Sequence, residues 1–197
     1  MKVLFLEIDT ERHWALASVG PAVIASFIRQ RGHEAKFRRI APSQEPRGIL
    51  EDIEKEAPDL VALSLTTRQW LRARDIVREI RRTLDVPVIA GGLHPTFAPE
   101  SVLAAEGFDC VCLGEGEYAM LDLLSALERR ERIEALQIPN IWVKGGAKPA
   151  LRPPVESLDT LPFMARDLLD EQLGVIHVCT QRGCPFPCTY PVLRYWE

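Results

Sequence analysis

The residues of this 197-residue chain whose type and spacing point most directly to chemistry are the cysteines Cys179, Cys184 and Cys188. The stretch Cys184-Pro185-Phe186-Pro187-Cys188-Thr189-Tyr190-Pro191 sets two thiols four apart, with an aromatic two beyond the second. That is most of a three-cysteine iron–sulfur loop, in which soft thiolates hold iron and tune its potential. The third cysteine would fall at position 191, where the chain has proline. Proline offers no ligating atom, so Cys184 and Cys188 make an incomplete iron–sulfur site. Cys179 could substitute only through an unusual loop arrangement. Zinc is a second reading of the same residues, with His177 as a conceivable fourth ligand. In a reducing compartment such a cluster suggests a metal or redox role rather than a disulfide framework. Cys110 and Cys112 read differently. They lie in the apolar run Phe108–Leu113, would share one face of a strand, and read as small buried hydrophobes.

Composition bounds the rest. Hydrophobic residues are 47% and charged residues 26%, values ordinary for a soluble globular protein. A net charge of −4 gives no reason to expect nucleic acid or an anionic membrane as a partner. No apolar run approaches a membrane span, and Met1–Glu7 reads as a first strand rather than a signal peptide, so the cytoplasm is the expected compartment. The sequence leaves the oligomeric state open.

Strand and helix signals alternate up to about residue 130. Val3–Ile8 is a first strand; Gly20-Pro21 opens a helix that Gly32 caps. His33–Arg39 is a second strand nearer an edge, and Arg47–Glu56 a helix stopped by Pro58. Leu60–Leu65 is a continuous apolar run, as expected of a strand covered on both faces. Ala73, Ile76, Val77, Ile80 and Leu84 make the inward stripe of a helix over Arg68–Leu84, with its arginines on a solvated face. Val86–Ala90, a short helix at Pro99–Glu106, the strand Phe108–Leu113 and a helix at Glu117–Arg129 complete the series. The pattern predicts an α/β fold: a Rossmann-like, doubly wound, parallel five-stranded sheet with helices on both faces. Ile138–Val143 and Pro149–Leu151 then suggest a small hairpin, Pro153–Asp170 a connector, and Gly174–Val178 a short strand entering the cysteine loop.

In such a sheet ligands bind beyond the C-terminal strand ends. Those ends carry Ser64, Thr66 and Thr67; Gly91, Gly92, Leu93 and His94; and Gly114, Glu115, Gly116 and Glu117. Glycines let a backbone turn or a large ligand approach, and the threonine hydroxyls could cap a helix, bind a ligand, or both. Glu117 reads equally as a first-turn helix residue complementing the dipole. Small and hydroxyl residues at adjacent edges suit a broad, flat cofactor. No GxGxxG follows the first strand.

These residues resemble the N-terminal portion of the cobalamin-dependent radical S-adenosylmethionine enzymes. The resemblance rests on Gly32-His33-Glu34, on Gly91-Gly92-Leu93-His94-Pro95-Thr96-Phe97, on Gly114-Glu115-Gly116-Glu117, and on Thr180 to Tyr190. The connector Leu158–Phe163 is also similar. The resemblance implies a cobalamin-binding domain over 1–135, a hairpin and linker over 136–172, and the start of a truncated radical S-adenosylmethionine domain over 173–197. It implies that Ser64, Thr66, Thr67, Gly91, Gly92, Leu93, His94, Gly114, Glu115, Gly116 and Glu117 lie near cobalamin. The Asp-x-His-x-x-Gly motif, whose histidine ligates cobalt in some cobalamin domains, is absent. Cobalamin bound without a protein histidine is therefore implied, with His94 as a lesser alternative. The full enzyme would hold a [4Fe–4S] cluster and S-adenosylmethionine, and would be a methyltransferase or related radical enzyme; this chain is expected to be catalytically incomplete. Two other functions compete: a small cysteine-based metal or redox protein, and a regulatory ligand-binding domain without cobalamin.

Overall fold

A computed structural model describes residues 1–10, 19–168, 179 and 181–183. The expected strand Gly174–Val178, His13, Trp14, His177, Cys184, Cys188 and Pro191 lie outside the described residues.

The strands are β1 (Lys2–Ile8), β2 (Glu34–Ile40), β3 (Leu60–Ser64), β4 (Val88–Gly91), β5 (Cys110–Cys112) and β6 (Ile141–Val143). They form one sheet in the order β2-β1-β3-β4-β5-β6. All neighbours are parallel except β5 and β6, which run antiparallel. β1 and β3 each bury four consecutive side chains, because helices cover both faces of the sheet there. β2 lies at the edge and exposes Glu34 and Lys36, charges that discourage pairing with another chain.

The helices are α1 (Val19–Arg29), α2 (Pro46–Glu56), α3 (Trp70–Thr83), α4 (Leu93–Phe97), α5 (Pro99–Ala104) and α6 (Glu117–Glu128). α1 and α6 press Phe27, Ile28, Met120, Leu123 and Leu124 against Val3, Phe5, Ala62 and Ile89. On the other face α2, α3 and α5 press Ile49, Ile53, Ile76, Ile80 and Val102 against Leu4, Leu6, Val61 and Leu63. The two-residue alternation along β1, Val3 and Phe5 one way and Leu4 and Leu6 the other, is what serves both layers. Fully burying each such side chain is worth about 1.5–3 kcal/mol. Cys110 and Cys112 both face the α1/α6 layer, buried as small hydrophobes.

Three differences from the sequence expectation have physical causes. The sheet has six strands, and Ile141–Val143 joins it antiparallel to β5 instead of pairing with Pro149–Leu151. A lone two-stranded hairpin is marginal in water, and Pro149 lacks a ladder donor. Pairing with β5 instead buries Ile141 and Val143 beside both cysteines. The predicted turn does form, with the Gly146 N–H donating to the Val143 carbonyl. Second, Leu93–Phe97, given no element from the sequence, forms a helical turn; Pro95 sits where helix N–H groups have no internal partner anyway. Third, two arginines of α3 are not merely solvated. Arg72 donates to the carbonyls of Ala41 and Pro42, and Arg81 donates to the Gly107 carbonyl and pairs with Asp109.

The connector returns to α1. The Ala165 N–H donates to the Ala22 carbonyl at 3.0 Å, and Arg29 grips both carboxylate oxygens of Asp167 at 2.9 and 3.0 Å. Among the described residues no helix is long and apolar enough to cross a membrane.

Candidate functional site

The strand order makes a crevice. From β1 the chain leaves through α1 on one face of the sheet, and from β3 it leaves through α3 on the other. The C-terminal ends of these neighbouring strands therefore diverge, and a doubly wound sheet takes its ligand at such a point.

Ser64 ends β3 in register with Gly91 at the end of β4. The Leu65 N–H donates to the Gly91 carbonyl at 2.8 Å, and the His94 N–H donates to the Leu65 carbonyl at 2.9 Å, so the two exit loops are laced together. Gly92 lies inside this lacing at φ +91°. A Cβ there would stand 2.8 Å from both the Leu65 nitrogen and the Ser64 hydroxyl. Only glycine satisfies both the backbone angle and the approach.

Thr66 and Thr67 are exposed just beyond β3. The Thr66 N–H and hydroxyl both donate to Gln69 Oε1, at 2.8 and 2.9 Å, and Gln69 Nε2 donates to the Ile8 carbonyl at 2.7 Å. Gln69 thus ties the end of β1 to the loop after β3 at the crevice. The sequence reading missed it, although Thr66-x-x-Gln69 has capping-box spacing. Exposed apolar side chains follow on the same edge: Leu71 after β3, and Leu93 and Phe97 after β4, the first two more than half exposed.

His94 is placed as a support. Its ring is 8% exposed and stacks on Trp70 with centroids 4.9 Å apart. Nδ1 lies 3.3 Å from the Thr67 hydroxyl and Nε2 lies 3.5 Å from the Ser101 hydroxyl. Burial lowers its pKa. Thr96, also unassigned from sequence, donates its hydroxyl to the Gly92 carbonyl at 2.8 Å and accepts from the Gly114 N–H at 3.2 Å. It joins the loop after β5 to the loop after β4.

Residues 115–117 serve other contacts. Glu115 Oε2 accepts from the Val155 N–H at 2.8 Å, and Oε1 pairs with Arg182 at 2.9 Å. Glu117, 3% exposed, pairs with the other end of the same guanidinium. Burial opposes the charge of Arg182, but hydrogen bonds to Glu117 and Glu115 overcome this and raise its pKa. A Cβ at Gly116 would meet the tip of the Ile24 side chain at 2.7 Å, a flexible end that can move aside. Cys112 lies below, its thiol pushed up to about 12 by burial and then by Glu117. Asn140, likewise missed, takes φ +69° and donates to the carbonyls of Leu113 and Glu115, while its Oδ1 accepts from the Arg152 N–H.

Among the described residues no group of three histidine, cysteine, aspartate or glutamate side chains could hold a metal ion; Cys184 and Cys188 lie outside them. What the edge offers instead is backbone, hydroxyl and apolar surface around a crevice, a donor set that suits a large flat organic ligand.

Fold and edge define a doubly wound α/β ligand-binding domain. Comparison with known proteins makes this specific. The model of the B12 binding domain family matches residues 13–124, more than half of the chain, and the chain belongs to that family. It is 28% identical, over its full length, to the anaerobic magnesium-protoporphyrin IX monomethyl ester cyclase of Rubrivivax gelatinosus, and 25% identical over 76% of its length to the 4′-phospho-dehydrooxetanocin synthase of Priestia megaterium. It spans 40% and 22% of those two proteins. Among solved structures it superposes on the cobalamin-dependent S-adenosylmethionine radical enzyme OxsB, with aqua-cobalamin and S-adenosylmethionine bound, at a TM-score of 0.73. That match has 19% identity and covers 86% of this chain and 25% of OxsB. For the radical S-adenosylmethionine methyltransferase TsrM of Kitasatospora setae the TM-score is 0.64, with 20% identity and coverage of 76% and 30%. The resemblance read from the sequence is thus borne out for family and fold.

Proposed function

We propose that this chain is the cobalamin-binding part of a radical S-adenosylmethionine enzyme, a methyltransferase or a related radical enzyme, and is catalytically incomplete by itself. We assign the cofactor domain to about residues 1–135, with β6 as a further strand on its sheet. The carrying observation is the laced edge at Gly92, where a Cβ would strike both Ser64 and Leu65.

In this reading Ser64, Thr66, Thr67, Gly91, Gly92, Leu93 and Gly114 line the cofactor. The threonine hydroxyls supply hydrogen bonds, and Leu71, Leu93 and Phe97 supply apolar contact. His94 supports this surface from beneath, engaged with Thr67 and Ser101, so cobalt would be held without a protein histidine. When bound, cobalamin supplies organometallic chemistry that no side chain can. The protein's part is to hold the ring and keep one face shielded. Glu115, Gly116 and Glu117 flank this surface.

The test is retention of hydroxocobalamin through desalting, followed by the visible spectrum. A roughly stoichiometric corrin with base-off bands supports the reading. A folded protein that stays colourless, both as this chain and as a longer chain carrying the following barrel, would overturn it.

A further inference from the structure

We propose that Arg182 is a positioning residue that latches the segment before the cysteine loop onto Glu115 and Glu117. Arg182 stands two residues before Cys184 in sequence and 65 residues after Glu117, so the contact closes a long excursion of the chain. Nη1 meets Glu115 Oε1 at 2.9 Å, and Nη2 donates to Glu117 Oε1. One guanidinium thus spans two carboxylates, a fork geometry that lysine cannot reproduce.

The acidic side of the latch makes little sense without it. The Glu117 side chain is 4% exposed, and its Oε2 has no hydrogen-bond partner among the described residues. A carboxylate this buried is tolerated only if a cation or several donors meet it. Arg182 is the one cation paired with it among the described residues. Glu115 is held rigid for the task by the Val155 N–H and by its own carbonyl, which accepts from Asn140. On the other side of the contact Gly183, at φ +81°, turns the backbone immediately after Arg182. The four residues Gly114 to Glu117 therefore face two ways. Gly114 is pinned to the cofactor edge through Thr96, while Glu115 and Glu117 hold the tail. The loop is a mechanical link between the two.

The latch does not depend on the cofactor reading, and its test contains no cobalamin. Trypsin must take the Arg182 side chain into its own pocket to cleave Arg182–Gly183, so the latch protects that bond directly. Cleavage there is compared with cleavage after Arg132, whose side chain is 84% exposed, in the same molecule. In a Glu115→Gln/Glu117→Gln variant that keeps the wild-type circular dichroism, cleavage after Arg182 relative to Arg132 should rise about tenfold, because the open form becomes more populated. If the double variant does not fold, Glu115→Gln alone should give about a threefold rise, as befits its more exposed contact. An unchanged ratio in a folded variant overturns the latch. Arg182→Lys should not restore the protection against a lysine-specific protease, since one ammonium cannot span both carboxylates; full protection there would equally overturn it.

Discussion

At the residue scale, Gly92 and His94 decide the shape of the candidate edge. Alanine at position 92 would be strained by φ +91° and would collide with the Leu65 backbone and the Ser64 hydroxyl. Gly92→Ala should destabilise the domain by about 1–3 kcal/mol and lower cobalamin retention, read by urea unfolding and by the desalting assay. His94 carries a pH signature. Burial lowers its folded pKa below the ordinary value of 6.5, so the unfolded chain binds more protons between the two values. Stability is therefore lost as pH falls through 6.5 towards the folded value. His33 is lowered by burial too, partly countered by Glu128, and contributes in the same direction. His94→Gln should remove part of this acid sensitivity and leave the His33 part. Urea-unfolding free energies at pH 8 and pH 5 measure it; a pH slope equal to wild type would contradict the assignment.

At the element scale the instructive piece is β6. The strand is three residues long, and its place is set by neighbours rather than propensity. Asn140 just before it adopts a left-handed backbone and ties three segments together through its amide. Asn140→Ala leaves buried carbonyls without a donor and strains the backbone, at a combined cost of about 2–4 kcal/mol. Asn140→Gly relieves the backbone strain but not the hydrogen bonds, so it should cost less than alanine. Equal costs by chemical unfolding would show that the backbone angle is unimportant. Little of this was legible in the sequence. Ile138–Val143 looked like half of a hairpin because its apolar residues cannot reveal which partner edge is free. The strands and helices of the sheet were far more legible: Leu60–Leu65 is apolar throughout because β3 is covered on both sides, and the stripe of α3 emerged at helical spacing.

At the scale of the whole molecule, the crevice at β1 and β3 belongs to no single element. It exists because α1 and α3 leave on opposite faces of the sheet. A ligand held there should stabilise the folded chain by mass action, by about 2.7 kcal/mol at a hundredfold excess over its dissociation constant. Thermal unfolding with and without hydroxocobalamin reads this alongside the desalting test; no shift at saturating cofactor would count against the proposed site. The connector returns to α1 through Arg29, Asp167 and Ala165, and Arg182 meets the loop after β5 at Glu115.

The sequence alone determined the class of fold, the strand ends that carry glycine and hydroxyl residues, and the family they resemble. Those depend on periodicity and local backbone demands, which are written in neighbouring residues. Only the tertiary structure decided which of the candidates act together. Glu115 and Glu117 stood beside Gly114 in sequence, yet they turn to an arginine 67 and 65 residues away, while Gly114 turns to Thr96. His94, only a lesser candidate ligand in the sequence, is buried because Trp70, Thr67 and Ser101 come from other elements to enclose it. Burial and charge pairing arise between segments distant in the chain, and no local pattern encodes them.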